Sequence, residues 1–354
     1  MRIERPWPVG MKKRLRTPFW ARSVRRGVVA MTRMASASGS RALRQALKQA
    51  APRRTAPPGA GAWLPGVAMG KFGAIRWHLY RPPGVRVGEK LPLMVMLHGC
   101  GQDAASFASS TRMNRIAMRE RFLVLYPEQD RLANPQRCWN WFETDGGRAY
   151  AEADLILSAI DQVCLLHPVD RQRVAIAGLS AGASMAALLA TRHPDRFEAV
   201  VMHSGVPPGT ARSTLTAIGA MRGRRATLPL AATPGMIEAN WPALLVIHGA
   251  ADAAVSPTNA GAAALTWAQA AGARAGVPRQ VQRGKRYPMS VTDFKLRDDT
   301  VATLVLVAGL SHAWSGGAAG QPYSDARGPD ASRMAWAFAA RQFRARTAAT
   351  APVR

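Results

Sequence analysis

Ser180, Asp252 and His312 stand, in that order, just after three separate apolar runs of this sequence. Ser180 lies in Ala177-Gly178-Leu179-Ser180-Ala181-Gly182, a G-x-S-x-G string between the β-prone run 174–177 and an alanine-rich stretch that reads as helix from 181. A serine at the tip of a sharp strand-to-helix turn can serve as a nucleophile, because small neighbours permit strained backbone angles and close approach of strand and helix. Serine does not ionise at neutral pH, so it needs a base, and the base needs a carboxylate to fix its tautomer. Asp252 follows the run 244–247 through His248-Gly249-Ala250-Ala251, and His312 follows the run 303–307 through Ala308-Gly309-Leu310-Ser311. Nucleophile, acid, histidine is the order expected when the partners sit at the carboxyl ends of successive strands. The chemistry would be acyl transfer. Taken singly, Ser180 reads as an ordinary turn, Asp252 as a helix cap and His312 as a loop residue; their coincidence favours a triad.

Acyl transfer also needs two amide donors for the reacting oxygen. Ala181, next to the serine and at the positive end of a helix, supplies one. The run 93–97 ends in His98-Gly99-Cys100-Gly101-Gln102, which makes the Cys100 amide the expected second donor. His203 and His248 also end apolar runs, but His203 precedes the acid and His248 lies four residues before it, so both are expected to be structural. His193 reads as a helix terminator, His78 and His167 have no chemical context, and Asp154 and Asp161 fall on a solvated helix face.

These residues require a sheet to hold them. Runs 75–80, 93–97, 122–126, 174–177, 199–202, 244–247 and 303–307 read as strands, and 104–120, 150–166, 181–192, 258–271 and 330–345 as helices. Alternation of this kind predicts an α/β fold, with a mostly parallel central sheet and helices on both faces. The segment 210–240, with Pro229, Pro234 and several arginines, shows no strand and is expected to be a cap insertion. Residues 41–50 could form a short basic helix, ended by the prolines at 52, 57 and 58. The expected organisation is a basic, poorly ordered tail over 1–60, one catalytic domain over 61–345 and a C-terminal tail over 346–354.

The 354 residues are 48% hydrophobic, enough for a substantial core, and carry a net charge of +27. Residues 1–55 hold 15 Lys and Arg against Glu4 alone, so that segment contributes +14 and the remainder +13. The tail shows no folded nucleic-acid reader motif, so no specific nucleic-acid partner is expected. No run approaches the roughly 18 apolar residues of a bilayer span. Arg22, Arg25, Arg26 and Arg33 interrupt every apolar stretch that could serve as a secretory leader, so none is legible.

Over residues 70–345 the chain resembles the esterase family typified by poly(3-hydroxybutyrate) depolymerases, α/β-hydrolases related to bacterial feruloyl and acetylxylan esterases. The resemblance rests on the elbow 177–182 and on His98-Gly99-Cys100-Gly101-Gln102, Tyr126-Pro127-Glu128-Gln129 and Cys138-Trp139-Asn140-Trp141-Phe142. It extends to His312-Ala313-Trp314-Ser315-Gly316-Gly317, Tyr323-Ser324-Asp325 and the stretch Arg327-Gly328-Pro329-Asp330-Ala331. It implies Ser180 as nucleophile, Asp252 as orienting acid, His312 as base, and Cys100 and Ala181 as amide donors, with no metal or cofactor. It further implies an ester substrate, a hydroxyalkanoate polymer or oligomer or another short acyl ester; Trp139, Trp141 and Trp314 are the candidate substrate-binding aromatics, although buried aromatics at such density more often belong to a core. Cys100 and Cys138 fall in adjoining family motifs, which implies a disulfide between them and leaves Cys164 as a buried thiol. Leu310-Ser311 departs from the glycine that often precedes the histidine, and 210–240 is unusually rich in arginine. Polymer-degrading relatives usually carry a polymer-binding domain beyond the catalytic one, so soluble oligomers or other short acyl esters are the expected substrates here. Family habit points to export and the missing leader against it. The rival readings are a feruloyl or acetylxylan esterase, a basic binding protein with a vestigial triad, and a silent scaffold.

Overall fold

The structure is a computed structural model that describes Pro57, residues 59–227 and residues 241–350, with side chains to 346. Nearly all of the expected basic tail, residues 228–240 of the expected cap, and 351–354 lie outside the described residues.

Strands β1 (Ala62–Gly70) and β2 (Gly73–Arg81) form an antiparallel hairpin on the edge of the main sheet. After them come β3 (Leu91–Leu97), α1 (Ala104–Thr111), α2 (Met113–Glu120), β4 (Leu123–Glu128), α3 (Arg148–Leu166), β5 (Val169–Leu179), α4 (Ala181–Arg192) and β6 (Ala199–His203). The chain continues through α5 (Thr214–Met221), β7 (Ala243–Gly249), α6 (Thr258–Ala270), β8 (Arg274–Ala275), β9 (Arg279–Val281), β10 (Met289–Leu296) and β11 (Asp299–Val307). It ends in β12 (Trp314–Ser315), β13 (Ser324–Asp325) and α7 (Ala331–Thr350). The main sheet has the order β1-β2-β4-β3-β5-β6-β7-β11-β10-β8, with β9 also on β10. From β4 to β11 every pairing is parallel, and the edges are antiparallel. The fold is that of an α/β-hydrolase, with its parallel strands in the middle.

Strand β3 shows how both faces are covered. Leu93, Val95 and Leu97 enter one core with Ile156 of α3, Ala183 and Leu189 of α4 and Ala263 of α6. Met94 and Met96 enter the other with Phe107 of α1, Ile116 of α2 and Phe338 of α7. Side chains alternate across a strand, so a strand buried on both sides reads as a continuous apolar run, which is how β3 to β7 appear in the sequence.

Two local expectations are corrected, for the helices over 104–120 and 330–345. The helix expected over 104–120 is two helices, broken at Arg112, whose φ of 57° is left-handed; no glycine or proline marks the break. The described part of the segment 210–240, where no strand is expected, holds the helix α5, started by a capping box at Ser213 and Thr216. The last helix continues past 345 to Thr350. No helix among the described residues is long and apolar enough to cross a membrane.

Candidate active site

Ser180 is the single residue between β5 and α4, with φ 56° and ψ −120°, outside both helix and strand conformations. A residue other than glycine is strained there, and the surroundings must impose the shape. Two glycines let them do so. A Cβ on Gly178 would lie 2.3 Å from the backbone of Gly182, and one on Gly182 would lie 2.2 Å from the Leu97 carbonyl oxygen. The first turn of α4 therefore rests directly on β5 and β3. The Ser180 N–H donates to His203 O at 2.9 Å, joining the elbow to the end of β6.

Asp252 and His312 hang from the ends of β7 and β11. The turn after β7 is closed by Asp252 N–H to Gly249 O at 3.1 Å and tied to the neighbouring loop by Ala251 N–H to Leu310 O at 3.0 Å. Asp252 is buried. Its Oδ1 accepts the N–H groups of Ala254 and Val255, both at 2.9 Å, and its Oδ2 accepts His312 Nδ1–H at 2.8 Å. His248 Nε2 lies 3.3 Å from the same Oδ2 and 3.0 Å from Val255 O. Burial alone would raise the Asp252 pKa, but the hydrogen bonds from His248, His312 and the Val255 amide outweigh it and hold the carboxyl well below the usual range. The carboxylate is ionised, and His312 with Nδ1 protonated keeps its Nε2 lone pair available. The His312 side chain is 18% exposed.

His203 ties the histidine loop to the elbow. It is fully buried; its Nε2 accepts Ser315 N–H at 3.1 Å, and its ring stacks on Trp314 with centroids 5.0 Å apart. Burial, with the neighbouring His248 and His312 acting in the same direction, lowers its pKa to about 3, so it stays a neutral acceptor. One residue thus holds Ser180 N–H through its carbonyl and, through its ring, the strand that begins two residues after His312. Among the described residues the Ser180 hydroxyl makes no hydrogen bond to His312.

The loop after β3 is braced on several sides. A disulfide joins Cys100 to Cys138, and Gly101 N–H donates to Gln136 O at 2.7 Å. His98 is buried, bonded through Nδ1 to Gly99 O at 2.9 Å and accepting Gln129 N–H on Nε2 at 3.1 Å. Behind it, the buried Glu152 accepts Asn140 N–H at 2.8 Å and also the Asn140 side-chain amide. Cys100 N–H makes no backbone hydrogen bond among the described residues, and Ala181 N–H is one of the unpaired amides at the start of α4. Both amides are thus without a backbone partner, one in the loop after β3 and the other at the first residue of α4.

The family model of the esterase PHB depolymerases matches residues 75–277. The chain belongs to this esterase family. Poly(3-hydroxyalkanoate) depolymerase C of Paucimonas lemoignei is 35% identical over 175 residues, 48% of this chain and 42% of that protein. The chain thus spans under half the length of that relative. Feruloyl esterase B of Neurospora crassa is 27% identical over 58% of this chain and 75% of its own, and acetylxylan esterase A of Emericella nidulans 26% over 59% and 71%. The solved acetyl xylan esterase from Aspergillus awamori shares the fold, with a TM-score of 0.57 at 19% identity, covering 71% of this chain and 94% of that one.

The three aromatics expected to bind substrate lie inside the fold. Trp139 and Trp314 are fully buried and Trp141 nearly so. The indole N–H of Trp139 donates to His98 O at 3.0 Å and that of Trp314 to Ser332 Oγ at 3.1 Å. Trp139 thus holds the loop after β3 through its polar edge, and Trp314 ties β12 to the start of α7. Cys164 is a free, buried thiol. Chain order alone sets His248 aside; its signal is the four-residue spacing to Asp252, which a tight turn converts into contact.

Proposed function

We propose that this esterase hydrolyses carboxylic esters through an acyl-enzyme on Ser180, with His312 as base and Asp252 as its orienting acid. The observation that carries the reading is the 2.8 Å bond from His312 Nδ1–H to a buried, ionised Asp252, on the same sheet rim as a serine at φ 56°. Ser180 Oγ attacks the ester carbon while His312 Nε2 takes its proton; the C–O bond to the alcohol then breaks as His312 returns that proton to the leaving oxygen. Water adds to the acyl carbon by the same route and releases the acid. The Ser180–His312 hydrogen bond this needs would close as substrate binds, since such contacts are often long before then. The amides of Cys100 and Ala181 would bind the developing oxyanion, each worth about 10²–10³ in rate.

Hydroxyalkanoate oligomers are the proposed substrates, supported by the family match and the depolymerase relative. A second reading, a feruloyl or acetylxylan esterase, is favoured by relatives whose own length is better covered. The test is a panel of 3-hydroxybutyrate oligomers, amorphous polyester, short p-nitrophenyl esters, and feruloylated and acetylated xylans. The reading expects kcat/KM to be highest on the oligomers and Ser180→Ala to lower it by about 10⁴-fold or more without unfolding the protein. Highest activity on xylan esters would support the second reading, and unchanged activity in the alanine variant would refute the triad.

A further inference from the structure

We propose that His248 is a positioning residue of this site, holding the Asp252 carboxylate in the plane in which Oδ2 meets His312. The inference rests on the proposed triad. An ionised carboxylate offers about four lone-pair positions. In Asp252 three are filled by hydrogen bonds, Oδ1 by the amides of Ala254 and Val255 at 2.9 Å each and Oδ2 by His312 Nδ1–H at 2.8 Å, and His248 Nε2 stands 3.3 Å from Oδ2 at the fourth.

The tautomer of His248 follows from its neighbours. Nε2 faces two acceptors, Val255 O, its hydrogen-bond partner at 3.0 Å, and Asp252 Oδ2 at 3.3 Å, so it carries a proton. Val255 is also a donor to Oδ1, so ring, carbonyl and amide form one closed set around the carboxylate.

The other ring nitrogen supplies the second observation. His248 Nδ1 is buried and has no hydrogen-bond partner. An unmet buried polar atom costs stability, and an apolar side chain at this strand end would avoid that cost. A local rule broken without local gain marks a position held for something else. Here the gain is at Oδ2: without the second donor the carboxylate could rotate about its Cβ–Cγ bond and loosen its hold on His312. His203, which also ends a strand at this rim, has partners on both ring nitrogens and acts on the loop of His312 instead.

The test compares His248→Leu and His248→Asn, neither of which can place an N–H where Nε2 stands, with His248→Gln, whose amide can reach it. Activity is read as kcat and KM on p-nitrophenyl butyrate, alongside the thermal midpoint of each variant and with Ser180→Ala as control. The inference expects the Leu and Asn variants to lose kcat by about 10- to 100-fold at nearly constant KM, well short of the roughly 10⁴-fold loss on disabling the acid of a serine triad. It expects His248→Gln to recover to within about five-fold of the unsubstituted protein. A purely structural histidine would give lower midpoints with kcat per folded molecule intact; that result, or a Gln variant as impaired as the Asn variant, overturns the inference. If one removing variant does not fold, the other paired with Gln still decides. Activity retained in Ser180→Ala would instead bring down the triad reading itself.

Discussion

The elbow is a case in which two missing side chains matter as much as the one present. Gly182 lies under the Leu97 carbonyl and Gly178 under the start of α4, each with less space than a Cβ occupies. Relief of a 2.2 Å contact with a main-chain oxygen must move the strand or the helix, because no flexible side chain can yield. Gly182→Ala is therefore expected to destabilise the fold by about 3 kcal/mol and to lower activity in whatever folds; a thermal or urea titration checks this, and an unchanged midpoint would contradict the packing account. The placement of Ser180, Asp252 and His312 at strand ends is legible in the sequence because each follows an apolar run that pairs in parallel with a central strand. His248 is not, since its contact with Asp252 depends on a turn geometry that composition does not reveal. The burial of the tryptophans is hidden for a related reason: an aromatic cluster looks the same in a sequence whether it lines a groove or fills the space under a loop.

At the scale of elements, the loops around the elbow are held by cross-links more than by regular structure. The Cys100–Cys138 disulfide closes a 38-residue separation, for which chain-entropy arguments give a stabilisation of about 4 kcal/mol. Titration of unreduced protein in denaturant is expected to find one thiol, that of Cys164, and three after reduction. Reduction of the folded protein should lower the thermal midpoint and reduce kcat more than it raises KM, because the Cys100 amide loses its brace; three thiols before reduction would remove the basis for this. The parallel strands β3 to β7 can be read from the sequence to within a few residues. The edge cannot: β1 and β10 are half-buried, and their mixed pattern lacks the long apolar run of a central strand. The break at Arg112 is equally hidden, because an arginine in a left-handed conformation leaves no compositional mark.

For the whole molecule, buried neutral histidines set the response to acid. His203 has a folded pKa of about 3 against the ordinary histidine value of 6.5. Between those values the unfolded chain binds a proton that the folded one refuses. Its contribution is thus complete above pH 6.5 and falls on acidification, by up to about 1.4 kcal/mol per pH unit. Burial lowers the pKa of His98 as well, which adds in the same direction. Asp252, held low in the fold, adds a further loss once the pH drops below its unfolded value. The thermal midpoint is expected to fall steadily from about pH 6.5 to about pH 4, and His203→Gln to flatten that slope while lowering the midpoint at neutral pH. A midpoint independent of pH over this range would contradict the assignment of neutral, buried imidazoles.

The central claim is that Ser180 carries the acyl group. Rapid quenching of the protein with a p-nitrophenyl ester, followed by mass spectrometry of its peptides, measures this directly. The account predicts one acyl addition per protein on the peptide containing Ser180, a matching burst of p-nitrophenolate, and neither in Ser180→Ala. An acyl group on another residue, or turnover without any on Ser180, would contradict it.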